Sequence, residues 1–274
     1  MEKTMKDGRI RREAEKWLQD LRAALMFLTI LPVGGEDGTG APPVRPRFLR
    51  ALPLAGAVVG GLSGMVLILS GWAGAPAMIG AALAVAAGIV LTGAMHEDGL
   101  SDMADGLGGR TRERRLEIMR DPAVGAFGVL ALVLAVLLNV LAVAHVAEVA
   151  GFLRAAAVLT AAHAVSRLAS VRMLHALPPA RPDGRGREAG RPGDGILFRA
   201  LMAALVVVAA AGAPAAGTVA TAGALAVAAL AGEFAIRRTE SLLGGQTGDA
   251  AGAVEVVVRT VFLVTLAIFV TGRA

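Results

Sequence analysis

Between residues 96 and 109 the chain reads His96-Glu97-Asp98-Gly99-Leu100-Ser101-Asp102-Met103-Ala104-Asp105-Gly106-Leu107-Gly108-Gly109. Asp98, Asp102 and Asp105 stand at i, i+4 and i+7, which places three carboxylates on one face of a helix, about one turn apart. Like charges so close repel, so the arrangement is unfavourable unless a cation sits among them. Hard divalent cations, chiefly Mg²⁺, take oxygen ligands and are often held by a few carboxylates together with substrate phosphates. The plain alternative is an acidic, solvated loop. Against it, the acids abut an apolar block and alternate with Leu100, Met103 and Leu107. A metal site is therefore expected at Asp98, Asp102 and Asp105, with Glu97 beside them.

A basic run follows at once: Arg110, Arg112, Arg114, Arg115 and Arg120. Arginines beside a carboxylate cluster suit a phosphorylated anion held jointly by metal and guanidinium. Arg114, Arg115 and Arg120 are the candidates, and a charge anchor on anionic lipid is the rival reading. Both can hold together. A second constellation, Gly244-Gly245-Gln246-Thr247-Gly248-Asp249, opens the last apolar block. A Gly-rich turn entering a helix can present backbone N–H groups to a phosphate. Thr247 and Asp249 are its polar members, and Asp249 could cap the helix or reach the metal.

Polar residues inside apolar blocks are costly and need a reason. His163, Ser166, Arg167 and Ser170 form one helical stripe, expected to face a bundle interior, and Arg167 is the member given a functional role. Glu233 with Arg237 and Glu255 with Arg259 are i, i+4 pairs expected to neutralise each other. Asn139 reads as a helix–helix hydrogen bonder, His145 as interfacial, and His175 as a span-end residue that fits either use.

The elements that must position these groups are visible in the composition. The chain has 274 residues, 55% apolar, 18% charged and 4% aromatic, with a mean hydropathy of +0.65. A soluble protein is nearer half apolar and a quarter charged. Here the apolar residues come in blocks of about twenty, the length that crosses a bilayer as a helix. That excludes a disordered chain, a disulfide-stapled domain and an ordinary soluble enzyme. With no Cys, disulfides, Fe–S clusters and thiolate catalysis are excluded as well. The net charge of +5 does not indicate nucleic acid, because the bases flank the apolar blocks and there is no Tyr for stacking.

The fold class is therefore all-α, a polytopic membrane protein of one domain spanning 1–274. Seven spans are expected, at about 51–72, 75–95, 123–145, 149–172, 199–219, 219–236 and 251–271. The fifth and sixth divide around Gly212-Ala213-Pro214 and Gly217. The stretch 23–33 is too short to span and reads as an interfacial or re-entrant amphipathic helix rather than a signal peptide. It belongs to a basic N-terminal segment, 1–50. Lys and Arg concentrate there and in 96–122, 173–198 and 237–250. The connections near 73–75, 146–148 and 213–217 have none. By the positive-inside rule the basic segments face the cytoplasm and the C-terminus lies outside.

At these residues the chain strongly resembles the cobalamin synthase family, the adenosylcobinamide-GDP ribazoletransferases. The signature is His96-x-Asp98-Gly99-Leu100-x-Asp102-x-x-Asp105-Gly106-Leu107. It continues through Arg112-Glu113-Arg114-Arg115-Leu116-Glu117-Ile118-Met119-x-Asp121 and Gly125-Ala126-Phe127-Gly128-Val129. Leu28-Thr29-x-Leu31-Pro32-Val33 precedes it. Leu177-Pro178-x-Ala180-Arg181-Pro182-x-Gly184 and Gly244-Gly245-x-Thr247-Gly248-Asp249-x-x-Gly252-Ala253 follow. Ile30 stands where the family often has a base, and Ala251 where it often has a larger aliphatic.

The resemblance implies a Mg²⁺-dependent transferase in the bacterial cytoplasmic (inner) membrane, with its site facing the cytoplasm. It would join adenosylcobinamide-GDP to α-ribazole or its 5′-phosphate, giving adenosylcobalamin or its 5′-phosphate and GMP. Arg181 becomes a phosphate ligand on this reading. His96, Asp98 or Asp102 would do the catalytic proton and charge work. Partners would be these substrates and the bilayer, without nucleic acid; homo-oligomers or association with other cobalamin-assembly enzymes stay open. A CDP-alcohol phosphotransferase also uses spaced Asp residues at a membrane face, but its usual order is absent here. A transporter would place carboxylates at mid-bilayer, often on inverted repeats.

Overall fold

The computed structural model describes residues 2–34, 46–182 and 189–270, and among them the chain is helical. Helix α1 covers Glu2–Leu28, α2 Leu52–Trp72, α3 Ala77–Leu91, α4 Met95–Gly106 and α5 Arg112–Ile118. Then come α6 Ala126–Ala150, α7 Phe152–Ala176, α8 Asp194–Val207, α9 Thr218–Leu243 and α10 Gly248–Phe269. A 3₁₀ turn, Pro46–Ala51, leads into α2, and α8 continues through a π-turn at Val208–Gly212 to Ala216.

Among the described residues, five helical stretches are long and apolar enough to cross a membrane: Pro46–Trp72, Ala126–Ala150, Asp194–Ala216, Thr218–Leu243 and Gly248–Phe269. The α3–α4 pair makes a sixth if its two parts, bent by 88°, are taken as one broken span. The break sets α4, which carries the acids, nearly at right angles to α3. The fourth expected span, α7, has the length at 25 residues but carries Arg154, Arg167 and Arg172. Its charges are tolerable because α7 is the central helix, with most of its length buried by protein.

The tightest packing is between α2 and α7. Gly56, Gly60 and Gly64 recur every four residues on α2 and meet the α7 backbone around His163, Thr160 and Ala156. A Cβ at Gly60 would lie 2.7 Å from Thr160 Cα. Lipid offers no hydrophobic force to press helices together, so small residues that permit close backbone approach replace it. Gly61, in the same run, faces open space and has no such role.

The connections at one end are minimal. Gly151 (φ +91°) alone joins α6 to α7, and Gly217 (φ +87°) alone joins α8 to α9. That locates the division between the fifth and sixth spans at Gly217, with Pro214 held inside the end of α8. At the N-terminus, α1 is a 27-residue helix whose last turns bury Ala24, Leu25 and Leu28 against Phe48, Leu49 and Leu52. After Leu28 the chain leaves the helix, and the Ile30 N–H donates to the Leu91 carbonyl at 2.9 Å. The apolar stretch is thus the end of a longer helix plus an extended strap. Within the basic segments 1–50 and 173–198, Arg45, Arg185 and Arg187 lie outside the described residues, as does the C-terminus.

Candidate active site at the charged end of the bundle

The acidic segment is a helix of its own, set off from α3 by a bend of 88° at Gly93 (φ +58°) and Ala94 (φ +56°). A left-handed conformation at a non-glycine residue costs roughly 1–2 kcal/mol, and Ala94 holds it at the bend that aims the acids. Helix α4 then crosses the N-terminal turn of α10. Gly99 lets the two backbones touch: a Cβ there would come 2.5 Å from the Asp249 carbonyl oxygen. This contact brings Asp249, from the Gly-rich constellation, beside the acidic face of α4.

The carboxylates then divide by what they face. Asp98 and Asp249 line a cavity of about 800 Å³. The Asp102 carboxyl is pushed up to about 7 by partial burial and by the charges of Asp98 and Asp249, against the pull of Arg181. Asp105 is engaged elsewhere, accepting the N–H groups of Gly125 at 2.7 Å and Gly128 at 2.8 Å and so capping α6. Gly125 and Gly128 are glycines because the Asp105 carboxylate fills the space a Cβ would need. Glu97, one residue from Asp98 and hence on another face of α4, receives Arg259 at 2.7 Å. Of the four expected metal ligands, the structure leaves Asp98 and Asp102 facing Asp249, while Glu97 and Asp105 hold helices together. Among the described residues no three His, Asp or Glu converge closely enough to form a ready-made metal cage.

Below the acids lies a buried polar lattice. His96 Nε2 sits 2.8 Å from a Glu255 carboxylate oxygen, and Arg167 Nε sits 3.2 Å from the same oxygen. Ser170 donates to the other Glu255 oxygen, and Arg167 also reaches His163 Nδ1 and Ser166 Oγ, at 3.2 and 3.0 Å. The expected polar stripe of α7 is thus buried as one surface. The i, i+4 pairing of Glu255 with Arg259 does not form: each takes a partner from α4 or α7 instead. An inter-helix partner completes a charge that would otherwise be stranded in the bundle, whereas an i, i+4 pair would leave the facing charges unmatched. Glu233 does pair with Arg237, at 3.5 Å, and also with Arg172, at 3.2 Å. Asn139 is buried, and His145 contacts the Val270 carbonyl at 3.2 Å.

The arginines separate in the same way. Arg181 lines the cavity and binds Asp249 at 2.6 Å. Its loop is zipped to the Gly-rich turn by the Ala180 N–H on the Gln246 carbonyl and the Gln246 N–H on Pro178, both 2.8 Å. Arg112 clamps both loops, donating to the carbonyls of Leu243 at 2.6 Å and Ala180 at 2.7 Å. Arg115 reaches the Leu242 carbonyl at 3.4 Å. Arg114 pairs with Glu117 on the exposed side of α5. Neither Arg114, Arg115 nor Arg120 is on the cavity wall, and Arg167 lies wholly buried beneath it. Thr247 caps α10, accepting the Ala250 N–H at 3.1 Å, so Asp249 is released from capping to face Arg181. Sequence reasoning missed Glu255 as the partner of His96 and Arg112 as the loop clamp. Glu255 had one usable signal, a carboxylate in a span with more than one cation within reach.

The arrangement offers anionic oxygens for a cation, one guanidinium beside them, and a roomy cavity walled on its far side by Met26, Phe27, Leu28 and Ile30. No solved structure matches the chain. The family model described as cobalamin-5-phosphate synthase matches residues 20–267. A protein of Xanthobacter autotrophicus named adenosylcobinamide-GDP ribazoletransferase is 46% identical, over 94% of this chain and 98% of its own. One of the same name from Azorhizobium caulinodans is 42% identical, over 92% of this chain and 96% of its own. With the acidic helix, the Arg181 loop and the Gly-rich turn all inside the matched region, the chain belongs to the cobalamin-5-phosphate synthase family.

Proposed function

We propose that the chain is the membrane transferase of late cobalamin biosynthesis that joins adenosylcobinamide-GDP to α-ribazole or its 5′-phosphate. A ribose hydroxyl oxygen forms a new bond to phosphorus, the diphosphate P–O bond breaks, and GMP leaves with the electron pair. One observation carries the reading: Asp98, Asp249 and Arg181 line one large cavity, Arg181 is bound to Asp249 at 2.6 Å, and Asp102 stands within the field of all three. Such a displacement depends mainly on positioning and charge stabilisation, which this set of groups supplies.

The donor set fits Mg²⁺. Partial burial, then the charges of Asp98 and Asp249, push Asp102 up to about 7 despite Arg181, and carboxylate oxygens completed by substrate phosphates are what this ion takes. Asp98, Asp102 and Asp249 would hold it, and it would neutralise the diphosphate. Arg181 would give a planar fork to a phosphate in exchange for part of its bond to Asp249. His96 is the group we assign to the hydroxyl proton. Its Nε2 lies 2.8 Å from the Glu255 carboxylate, and the residue borders the cavity. Glu255, Arg167 and Ser170 set the ring. The charged end of the bundle faces the bacterial cytoplasm, where the nucleotide-linked substrate is available; the basic loops and the Lys- and Arg-free turns support that orientation.

The test is direct. Purified protein in detergent or nanodiscs, given adenosylcobinamide-GDP, α-ribazole and Mg²⁺, should release one GMP per corrinoid joined. GMP release without a joined product, or no release with either ribazole form, overturns the assignment.

A further inference from the structure

A second cavity, about 400 Å³, lies away from the active site among α7, α8, α9 and α10. Its walls are Leu201 and Leu205 of α8 and Leu225 and Ala228 of α9, over a floor that includes Leu168 of α7. The deep end reaches Val208, where α8 passes into its π-turn, and π-turns recur at functional positions. The other end, toward the charged face of the bundle, is polar and lined by Arg172 and Glu233.

That mouth is electrically unbalanced. Glu233 is shared by Arg172 at 3.2 Å and by Arg237 at 3.5 Å. One carboxylate between two guanidiniums leaves a net charge of +1, and both bonds are long for charge-assisted contacts. Arg172 and Arg237 keep 39% and 77% of their side-chain surface exposed, so each has donors to offer. The groove has an apolar body at the depth of acyl chains and a cationic mouth at the depth of headgroups. We propose that it is a binding site for one anionic phospholipid, with an acyl chain between α8 and α9 and the phosphate held by Arg172 and Arg237. The lipid would wedge α8 against α7 and α9, completing a side of the bundle that protein alone leaves open. This assignment does not depend on the chemistry of the active site.

The experiment is native mass spectrometry of the full chain, released from nanodiscs containing equal phosphatidylglycerol and phosphatidylcholine, joined to thermal unfolding with each lipid added back. Wild type should retain one phosphatidylglycerol, at least tenfold over phosphatidylcholine, and its Tm should rise with phosphatidylglycerol only. The double variant Arg172→Gln, Arg237→Gln should lose the preference, while Arg172→Lys, Arg237→Lys keeps most of it. Ala229→Phe, at an exposed position on the groove wall, should stop retention of either lipid with the arginines intact. Equal retention of both lipids by wild type, an unchanged preference in the Gln variant, or a chain dimer with no lipid in the groove would overturn the proposal. If the Gln variant fails to fold, the Lys and Ala229→Phe variants decide it.

Discussion

Three aspartates that the helical period places on one face have different tasks, and substitution should separate them. Asp98→Asn and Asp102→Asn keep size and remove a charge that the proposed Mg²⁺ site would use. Each should lower activity at least a hundredfold, with partial recovery at high Mg²⁺. Each should also leave the metal-free Tm equal or higher, because one like charge is gone. Asp105→Asn should behave in the opposite way. Asp105 accepts two backbone N–H groups at the start of α6, and bonds to a charged acceptor contribute about 1.5–3 kcal/mol. Its variant should lose Tm with or without Mg²⁺. Equal Tm and activity changes in all three variants would contradict the division. Arg181→Lys keeps the charge and loses the fork; steady-state kinetics should show KM for the GDP-linked substrate rising several-fold. Arg114→Lys, on the exposed side of α5 with Glu117, should leave that KM unchanged.

Among the elements, the bend between α3 and α4 and the α2–α7 seam decide whether the site exists. Ala94 is held at φ +56°, so Ala94→Gly should raise stability by about 1 kcal/mol through relief of backbone strain. Reversible unfolding in mild detergent with urea measures it; a loss of stability would mean that the Ala94 methyl packs more than it strains. The seam answers in the other sense. Gly60→Leu puts a branched side chain where a single Cβ would already meet Thr160 Cα at 2.7 Å. Overpacking typically costs about 1–3 kcal/mol. Gly61→Leu, one residue along and facing open space, is the matched control and should keep the wild-type Tm. Both glycines belong to the same run in the sequence, and periodicity alone did not say which of them carries the seam.

Across the whole molecule, the loops around Arg112, Arg181 and Gln246 gather at one end, and the proposed cytoplasmic orientation of that end can be tested directly. Single Cys residues at positions 114 and 247 should resist a membrane-impermeant thiol reagent in intact cells, and react after permeabilisation. The chain has no Cys of its own to interfere, and fast labelling of either in intact cells would reverse the topology. Hydropathy and the distribution of Lys and Arg determined the helical membrane class and most of the spans. These follow from solvation, which each residue carries with it, so a linear reading suffices. The same reading assigned Glu97 and Asp105 to the metal, paired Glu255 with Arg259, and grouped Arg114, Arg115 and Arg120 with the phosphate. Only the tertiary structure gave Glu97 to Arg259, Glu255 to His96 and Arg167, Asp105 to the N-terminus of α6, and Asp249 to the face of Asp98 and Asp102. A charge buried in a bundle takes the partner that the crossing of helices brings within about 3 Å, and that choice depends on the 88° turn at Gly93 and Ala94 and on a glycine, Gly99, where two backbones meet. Spacing along one helix cannot report which neighbour another helix will offer.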